Sequence, residues 1–390
     1  MKILLVASYF PFPLYSGGQV RLYNLLRDLG KKHQITLVCE VRGEENAENL
    51  AEIKKYCAKI ITVVRPRQWS IRNILKTGFS SFPFLLVGHE NHQMKNVIHQ
   101  ELVSDHYDLL HVETFYVMHN LPGQINIPVV LVEHNVEWRI YKNWVNGFWF
   151  WPLRPLLFFD VGKMRFWEKH FWQKADKLIA VSDLDQKEME KETQKTVEII
   201  SNGVDCAYFG EVKKNEPQDP TIVFVGSFKW MQNRDAALFL LKKLWPKIKK
   251  RVTNAKLWII GNNALKFLKQ KDEDITVEEA VTDIRKVYAS STLLLAPIRI
   301  GGGTKFKILE SMASGLPVVT TPKGIEGLGP NINGILVGET EDELVEKTVA
   351  LLQNPQMRQN ISRKEKEFVR QNFDWEEISG KLEKVYENLH

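Results

Sequence analysis

The sequence predicts an α/β protein built as two doubly wound, parallel-sheet domains in series. Three observations point to it. Apolar strand-like runs alternate with amphipathic helical stretches from Lys2 onward, the periodicity lapses between Cys206 and Pro220, and a second βα series starts at Thr221. A length of 390 residues suits two or three domains, each large enough for its own core. The expected boundaries are 1–205 for the N-terminal domain, 206–220 for a linker, 221–370 for the C-terminal domain and 371–390 for a terminal helix.

The first domain opens with Lys2 to Tyr9, too short for a signal peptide and better suited to a buried strand. A Pro-rich loop ending in Ser16-Gly17-Gly18 leads into a helix from about Gln19 to Leu29, with Leu22, Leu25, Leu26 and Leu29 on one face. Gln34 to Val41 is the next strand. The glycine pair is either a second phosphate or sugar seat or a tight structural turn. Ala47 to Tyr56 is a predicted helix, Lys59 to Val64 a strand, Trp69 to Gly88 irregular and His89 to Ser104 a helix. Strands Tyr107–Glu113 and Val129–Glu133 end in polar residues, Glu113 in the first and Glu133-His134-Asn135 in the second. Ligands sit at the carboxyl ends of strands in open α/β sheets, so His134 is a candidate for the reaction centre, with a structural histidine as the alternative. Glu113, Glu133 and Asn135 are the acceptor-side candidates.

Residues 138–172 hold six of the chain's eleven tryptophans, interleaved with Arg and Lys. That mixture suits an anionic membrane interface, or a helical excursion packed on its own domain. Nothing else in the chain supports nucleic acid. Strands follow at Lys177–Val181 and Val197–Ile200, with Ser182 as an N-cap between them.

In the second half, strands are expected at Thr221–Val225, Lys256–Ile260, Asp274–Val277, Leu293–Ala296, Pro317–Thr320 and Gly334–Val337. Helices are expected at Asn233–Lys250, Ala280–Ala289 and from Thr340, where Glu343 completes a capping box, to Leu352. Asp374 caps the last helix. Between Ala296 and a helix starting near Thr304 lies the loop Pro297-Ile298-Arg299-Ile300-Gly301-Gly302-Gly303. Its glycines free backbone amides to turn toward an anion, and the helix N-terminus adds partial positive charge. Arg299 and Lys305 flank the seat. Glu310 lies at the edge of the helix's apolar face, so the pair of features suggests one ligand carrying a diphosphate and hydroxyls.

Composition agrees with a soluble globular chain, 44% hydrophobic and 26% charged. No run of about 18 apolar residues is present to span a bilayer. Three widely spaced cysteines read as reduced thiols of a cytoplasmic protein. A net charge of +6 suits phosphate ligands or an anionic surface.

Five segments together resemble GT-B-fold glycosyltransferases of glycosyltransferase family 4: Ser16-Gly17-Gly18, Glu133-His134-Asn135-Val136-Glu137, Asn202-Gly203-Val204-Asp205, Phe224-Val225-Gly226-Ser227 and Gly301 through Gly315. The resemblance implies two Rossmann-like domains facing a central cleft, with the C-terminal helix packing back toward the first. It implies sugar transfer from a nucleotide-diphosphate donor to a glycan or lipid-linked acceptor, with retention, without metal or other cofactor, in cell-envelope or exopolysaccharide and glycoconjugate synthesis. By position, Glu310 matches the residue that binds the donor ribose. Lys305 and Arg299 sit where cations hold the diphosphate. Gly17 and Gly18 match the first-domain loop near the donor phosphates and sugar, and His134 the histidine near the transferred sugar. Gly226, Ser227, Lys229, Gly301, Gly302, Gly303 and Thr304 complete the implied donor site. Gly302 stands where many members carry an acid, and Ser227 where Arg is usual. A sugar-nucleotide 2-epimerase and a catalytically impaired nucleotide-sugar binder are the alternatives on this fold. Placement at the inner face of the membrane would follow if 138–172 contacts lipid.

Overall fold

Apolar runs with no polar alternation become interior parallel strands, buried on both faces. The computed structural model describes every residue except 44, 270, 271, 330, 331, 333 and 390. It divides into two units, Met1–Ile200 with Ser379–His390, and Ser201–Ile378.

The first unit holds a seven-stranded sheet: β1 Lys2–Ala7, β2 Gln34–Val41, β3 Lys59–Val64, β4 Leu109–Glu113, β5 Val129–Glu133, β6 Lys177–Ala180 and β7 Val197–Ile199. Its order is β3-β2-β1-β4-β5-β6-β7, and every pair is parallel. The order reverses between β1 and β4, which register Ala7 opposite Glu113. Loops leaving that reversal diverge and open a crevice at the strands' carboxyl ends. The Gly17–Leu29 helix follows β1, and Leu22, Leu25, Leu26 and Leu29 are buried as their spacing requires.

The second unit holds a six-stranded sheet: β8 Thr221–Val225, β9 Lys256–Ile260, β10 Ile275–Glu278, β11 Leu293–Ala296, β12 Val318–Thr320 and β13 Leu336–Val337. Its order, β10-β9-β8-β11-β12-β13, is again wholly parallel and reverses between β8 and β11. The turn after β8 and the glycine loop after β11 therefore emerge side by side.

Several expectations need correction. The stretch 69–88, expected to be irregular, contains the helices Ile71–Phe79 and Phe84–Val87. The first is N-capped by Ser70, and Ile71, Ile74, Leu75 and Phe79 fall on one helical face as an amphipathic stripe requires, yet none of them is buried. The segment expected as a linker contains a short helix, Cys206–Gly210, and the units divide earlier, after Ile200. Residues 201–205 belong to the second unit because Val204 pairs with the Phe373–Trp375 segment: its N–H donates to Phe373 O at 2.8 Å and its carbonyl accepts from Trp375 N at 3.3 Å. The terminal helix, Trp375–Glu387, passes from one unit into the other at Ser379.

The helix expected at 233–250 starts at Met231 and carries a π-helical turn, Leu240–Leu244. Pro246 lacks the N–H that an α-helix would use there, and the wider turn accommodates the loss. The helix expected from Ala280 begins at Ile284, capped by Asp283. At Thr340 the hydroxyl accepts from Glu343 N, but Glu343 Oε2 accepts from Glu339 N, so the reciprocal half of the capping box does not form.

Candidate active site

Packing around Glu113 organises the crevice of the first unit. Glu113 ends β4 and is fully enclosed. His111 Nε2 lies 2.7 Å from its Oε2 and His134 Nε2 2.6 Å from its Oε1, while Arg21 Nε is 3.3 Å from Oε1. Burial pushes the carboxyl up, but the hydrogen bonds from the two histidines, the His134 charge and the Arg21 guanidinium outweigh it and hold Glu113 well below the usual carboxylate range. An ionised carboxylate only accepts, so both histidines donate to it. Tyr386 Oη then donates to His111 Nδ1 at 2.5 Å. His134 is thereby fixed in ring orientation, with Nδ1 as its nitrogen not engaged by Glu113, the arrangement of a positioned general base or charge stabiliser. Gly18 lies against it, since a Cβ there would sit 3.4 Å from His134 Cε1 and 3.0 Å from Tyr9 Oη. Gly17 and Gly18 form the first turn of their helix, with the Ser16 hydroxyl accepting from Gln19 N.

The other acceptor-side candidates face elsewhere. Glu133 is enclosed, its Oε1 accepting from the buried Trp172 Nε1 at 2.9 Å. Burial and the neighbouring Glu168 push its carboxyl well above the usual range. It is a core partner and does not meet solvent. Asn135 is half-buried and donates to Glu137 Oε1 at 3.4 Å.

In the second unit the glycine loop forms as expected. Gly301 and Gly303 have φ of +104° and +67°, a region that residues with a Cβ avoid. The helix that follows, Phe306–Ala313, begins two residues later than the pattern suggests. Thr304 is buried against Gly327, and Gly302 is exposed.

The cations are rearranged. Lys305 Nζ folds back and donates to Gly302 O at 2.7 Å and Gly303 O at 2.5 Å, so it staples the loop. Arg299 makes a bidentate pair with Asp235, at 2.6 and 3.0 Å, and lies over the Phe239 ring. Lys229 is exposed on the turn after β8, beside the half-buried Gly226 and Ser227.

Lys307 is the cation that reaches the sheet reversal, and sequence reasoning missed it. Its Nζ donates to Asn233 Oδ1 at 2.6 Å and lies 4.5 Å from the Phe224 ring. A Cβ on Gly226 would meet that Nζ and Asn233 Cγ, each at 2.7 Å, so both side chains pack directly against the turn after β8. Burial lowers the Lys307 pKa to about 7, opposed by the charge of Glu310. Glu310, one turn along the same helix, accepts from Tyr288 Oη at 2.9 Å, and burial raises its pKa. The spacing Lys307-x-x-Glu310 was a usable signal, because positions three apart share a helix face. Asn233 completes the arrangement, donating to Ser227 O at 2.8 Å.

The pairs Asp183–Asp185 and Asp272–Asp274 have the Asp-x-Asp form but serve structure. Asp185 accepts from Val136 N and Ser182 Oγ, and Asp274 pairs with Lys249 and Lys256.

Two family descriptions match this chain. "Glycosyltransferase Family 4" matches residues 15–208, and "Glycosyl transferases group 1" matches 219–354. The chain belongs to the GT-B glycosyltransferases of the family 4 type. An uncharacterized glycosyltransferase of Methanocaldococcus jannaschii is 26% identical, over 100% of this chain and 99% of that one. Among solved structures, the sucrose-phosphate synthase of Thermosynechococcus elongatus superposes with a TM-score of 0.70 at 14% identity, covering 100% and 99% of the two chains. Anabaena HepE in complex with UDP-glucose superposes at 0.65 and 13% identity, covering 100% of both. At those identities the structural neighbours show that this glycosyltransferase has the GT-B fold.

Proposed function

We propose that this glycosyltransferase transfers a sugar from a nucleotide-diphosphate donor to a glycan or lipid-linked acceptor. Transfer proceeds with retention and without a metal, in cell-envelope or exopolysaccharide and glycoconjugate synthesis, with peripheral contact to an anionic membrane through 138–172. The observation that carries the donor assignment is the Lys307–Glu310 pair. Two opposite charges on one helix face are each held by a neutral partner, Asn233 and Tyr288, and each keeps capacity for a ligand. The ammonium suits a diphosphate and the carboxylate a ribose diol, with the amides of the 301–304 loop beside them. His134, oriented by Glu113, serves the transferred sugar and acceptor in the first unit.

In the transfer step the bond from anomeric carbon to diphosphate oxygen breaks, and the acceptor oxygen bonds that carbon and passes its proton to the departing diphosphate oxygen. Negative charge grows on the departing diphosphate, so fixed positive groups stabilise the transition state more than the ground state. Retention without a carboxylate nucleophile requires the acceptor oxygen to arrive on the face that the diphosphate leaves. Gly302 offers the sugar only backbone, so the grip is firmest on nucleotide and diphosphate.

A panel of nucleoside diphosphates and their sugars tests the donor. Binding raises the melting temperature by mass action, and the HepE complex makes UDP-glucose a sensible first member. Glu310→Gln removes the charge that accepts the diol and raises donor KM about 10- to 100-fold, as expected for hydrogen bonds to a charged group. No stabilisation by any nucleoside diphosphate would overturn the donor assignment.

A further inference from the structure

The exposed aromatic residues of the first unit are not scattered. Trp69, Phe79, Trp149 and Trp151 are 79, 92, 83 and 73% exposed. They come from two segments far apart in sequence, the Ile71–Phe79 helix with its approach and the 146–153 connection between the helices Glu137–Asn146 and Arg154–Lys174. Both lie against the Arg154–Lys174 helix, where Asp160 accepts from Phe84 N at 3.2 Å and from Tyr141 Oη at 3.1 Å, and the Tyr141 ring begins the run of contacts Tyr141–Trp144–Phe148–Trp149. Lys163 Nζ donates to Thr77 O and Ser80 O, both at 2.7 Å, and Trp167 Nε1 donates to Ser81 O at 2.8 Å. Phe79, Phe159 and Phe166 line one shallow apolar hollow at that junction.

Charge identifies the partner. Residues 65–88 and 138–174 contain eleven Lys and Arg, and their two carboxylates, Asp160 and Glu168, are both buried. Glu40, Glu90, Glu188 and Glu192 from neighbouring segments pair with five of these cations, and the two segments taken with those partners stay net positive. Lysine is depleted from the cores of protein interfaces, whereas tryptophan with Lys and Arg is the composition of the lipid headgroup zone.

We infer that the Ile71–Phe79 helix and the 146–159 aromatic segment form one anionic-bilayer docking face, with their rings at headgroup depth and their cations on lipid phosphates. The inference rests on the proposed membrane contact through 138–172 and adds a second, equally necessary element. Loss of either element removes apolar area from the same face, so both variants weaken binding.

The test is flotation of the full chain with phosphatidylcholine vesicles, alone or containing phosphatidylglycerol. Wild type floats with the anionic vesicles, and added salt weakens the association. Trp69→Ser with Phe79→Ser, and separately Trp149→Ser with Trp151→Ser, each lower partitioning by about tenfold or more. Both leave turnover of soluble donor unchanged. Unchanged flotation of the Trp69/Phe79 variant overturns the inference and leaves contact through 138–172 standing. No flotation of wild type overturns both, as does aromatic-dependent self-association by light scattering without vesicle binding.

Discussion

Lys307→Met lowers donor turnover by about two to three orders of magnitude, the loss typical when one fixed group facing developing charge is removed. Folding is spared. Burial holds the Lys307 pKa near 7, well under its ordinary 10.5, so the folded state bears a cost for that charge which methionine removes. The variant's melting temperature should equal or exceed that of wild type. Lys305→Ala acts differently. It frees the carbonyls of Gly302 and Gly303 and loosens the loop, so it raises KM more than it lowers kcat. A Lys307→Met enzyme with normal kcat/KM would sink the assignment. The pH dependence is a second readout. A diphosphate favours protonated Lys307, so its pKa rises on binding and the complex takes up a proton. Nucleoside diphosphate affinity is then greatest below pH 7 and falls, by up to about tenfold per unit, as pH rises above 7. Calorimetry across that range should show the slope in wild type and none in Lys307→Met.

Glu113→Ala destabilises the protein by about 3–5 kcal/mol, the cost of breaking a buried charged network by removing one partner. Three buried or half-buried donors, from His111, His134 and Arg21, lose their common acceptor. Urea unfolding measures the loss, and a change below about 1 kcal/mol would show that the network is not what holds this crevice. Glu113 also shapes the acid limb. Its folded pKa is depressed below the ordinary 4.5, so the unfolded chain binds the proton first as pH falls. The stabilisation is complete above about pH 4.5 and is lost as pH drops through the folded value. Wild type should therefore fall toward the stability of Glu113→Gln only in that acidic window.

Much of the fold was legible in the sequence because its signals are local. The strands β2, β3, β5, β8, β9 and β11 begin and end where their apolar runs do. The glycines at 301 and 303 announce a left-handed backbone whatever surrounds them. The position of Glu310 in the Phe306–Ala313 helix was legible from periodicity, and that of His134 from the apolar run that ends just before it.

What a side chain touches was not legible. Lys305 and Lys307 are two residues apart with the same side chain, one at the extended N-cap and the other inside the first turn of the Phe306–Ala313 helix. The chain path sends one back onto its own loop and the other onto Asn233, which is distant in sequence. Glu113 and Glu133 end neighbouring strands in the same pattern. One gathers two histidines and an arginine and stays ionised, while the other meets an indole and a carboxylate and is pushed toward its neutral form. The Ile71–Phe79 helix does carry a local signal, a Ser70 cap and Ile71, Ile74, Leu75 and Phe79 on one face, and what was not legible is that this apolar face stays exposed. The sequence by itself determined two parallel doubly wound sheets and the glycine loop, since these depend on residue type and short-range spacing. Only the tertiary structure decided which cation, which carboxylate and which aromatic face are left to meet a partner, since burial and contacts come from residues brought together across tens of positions.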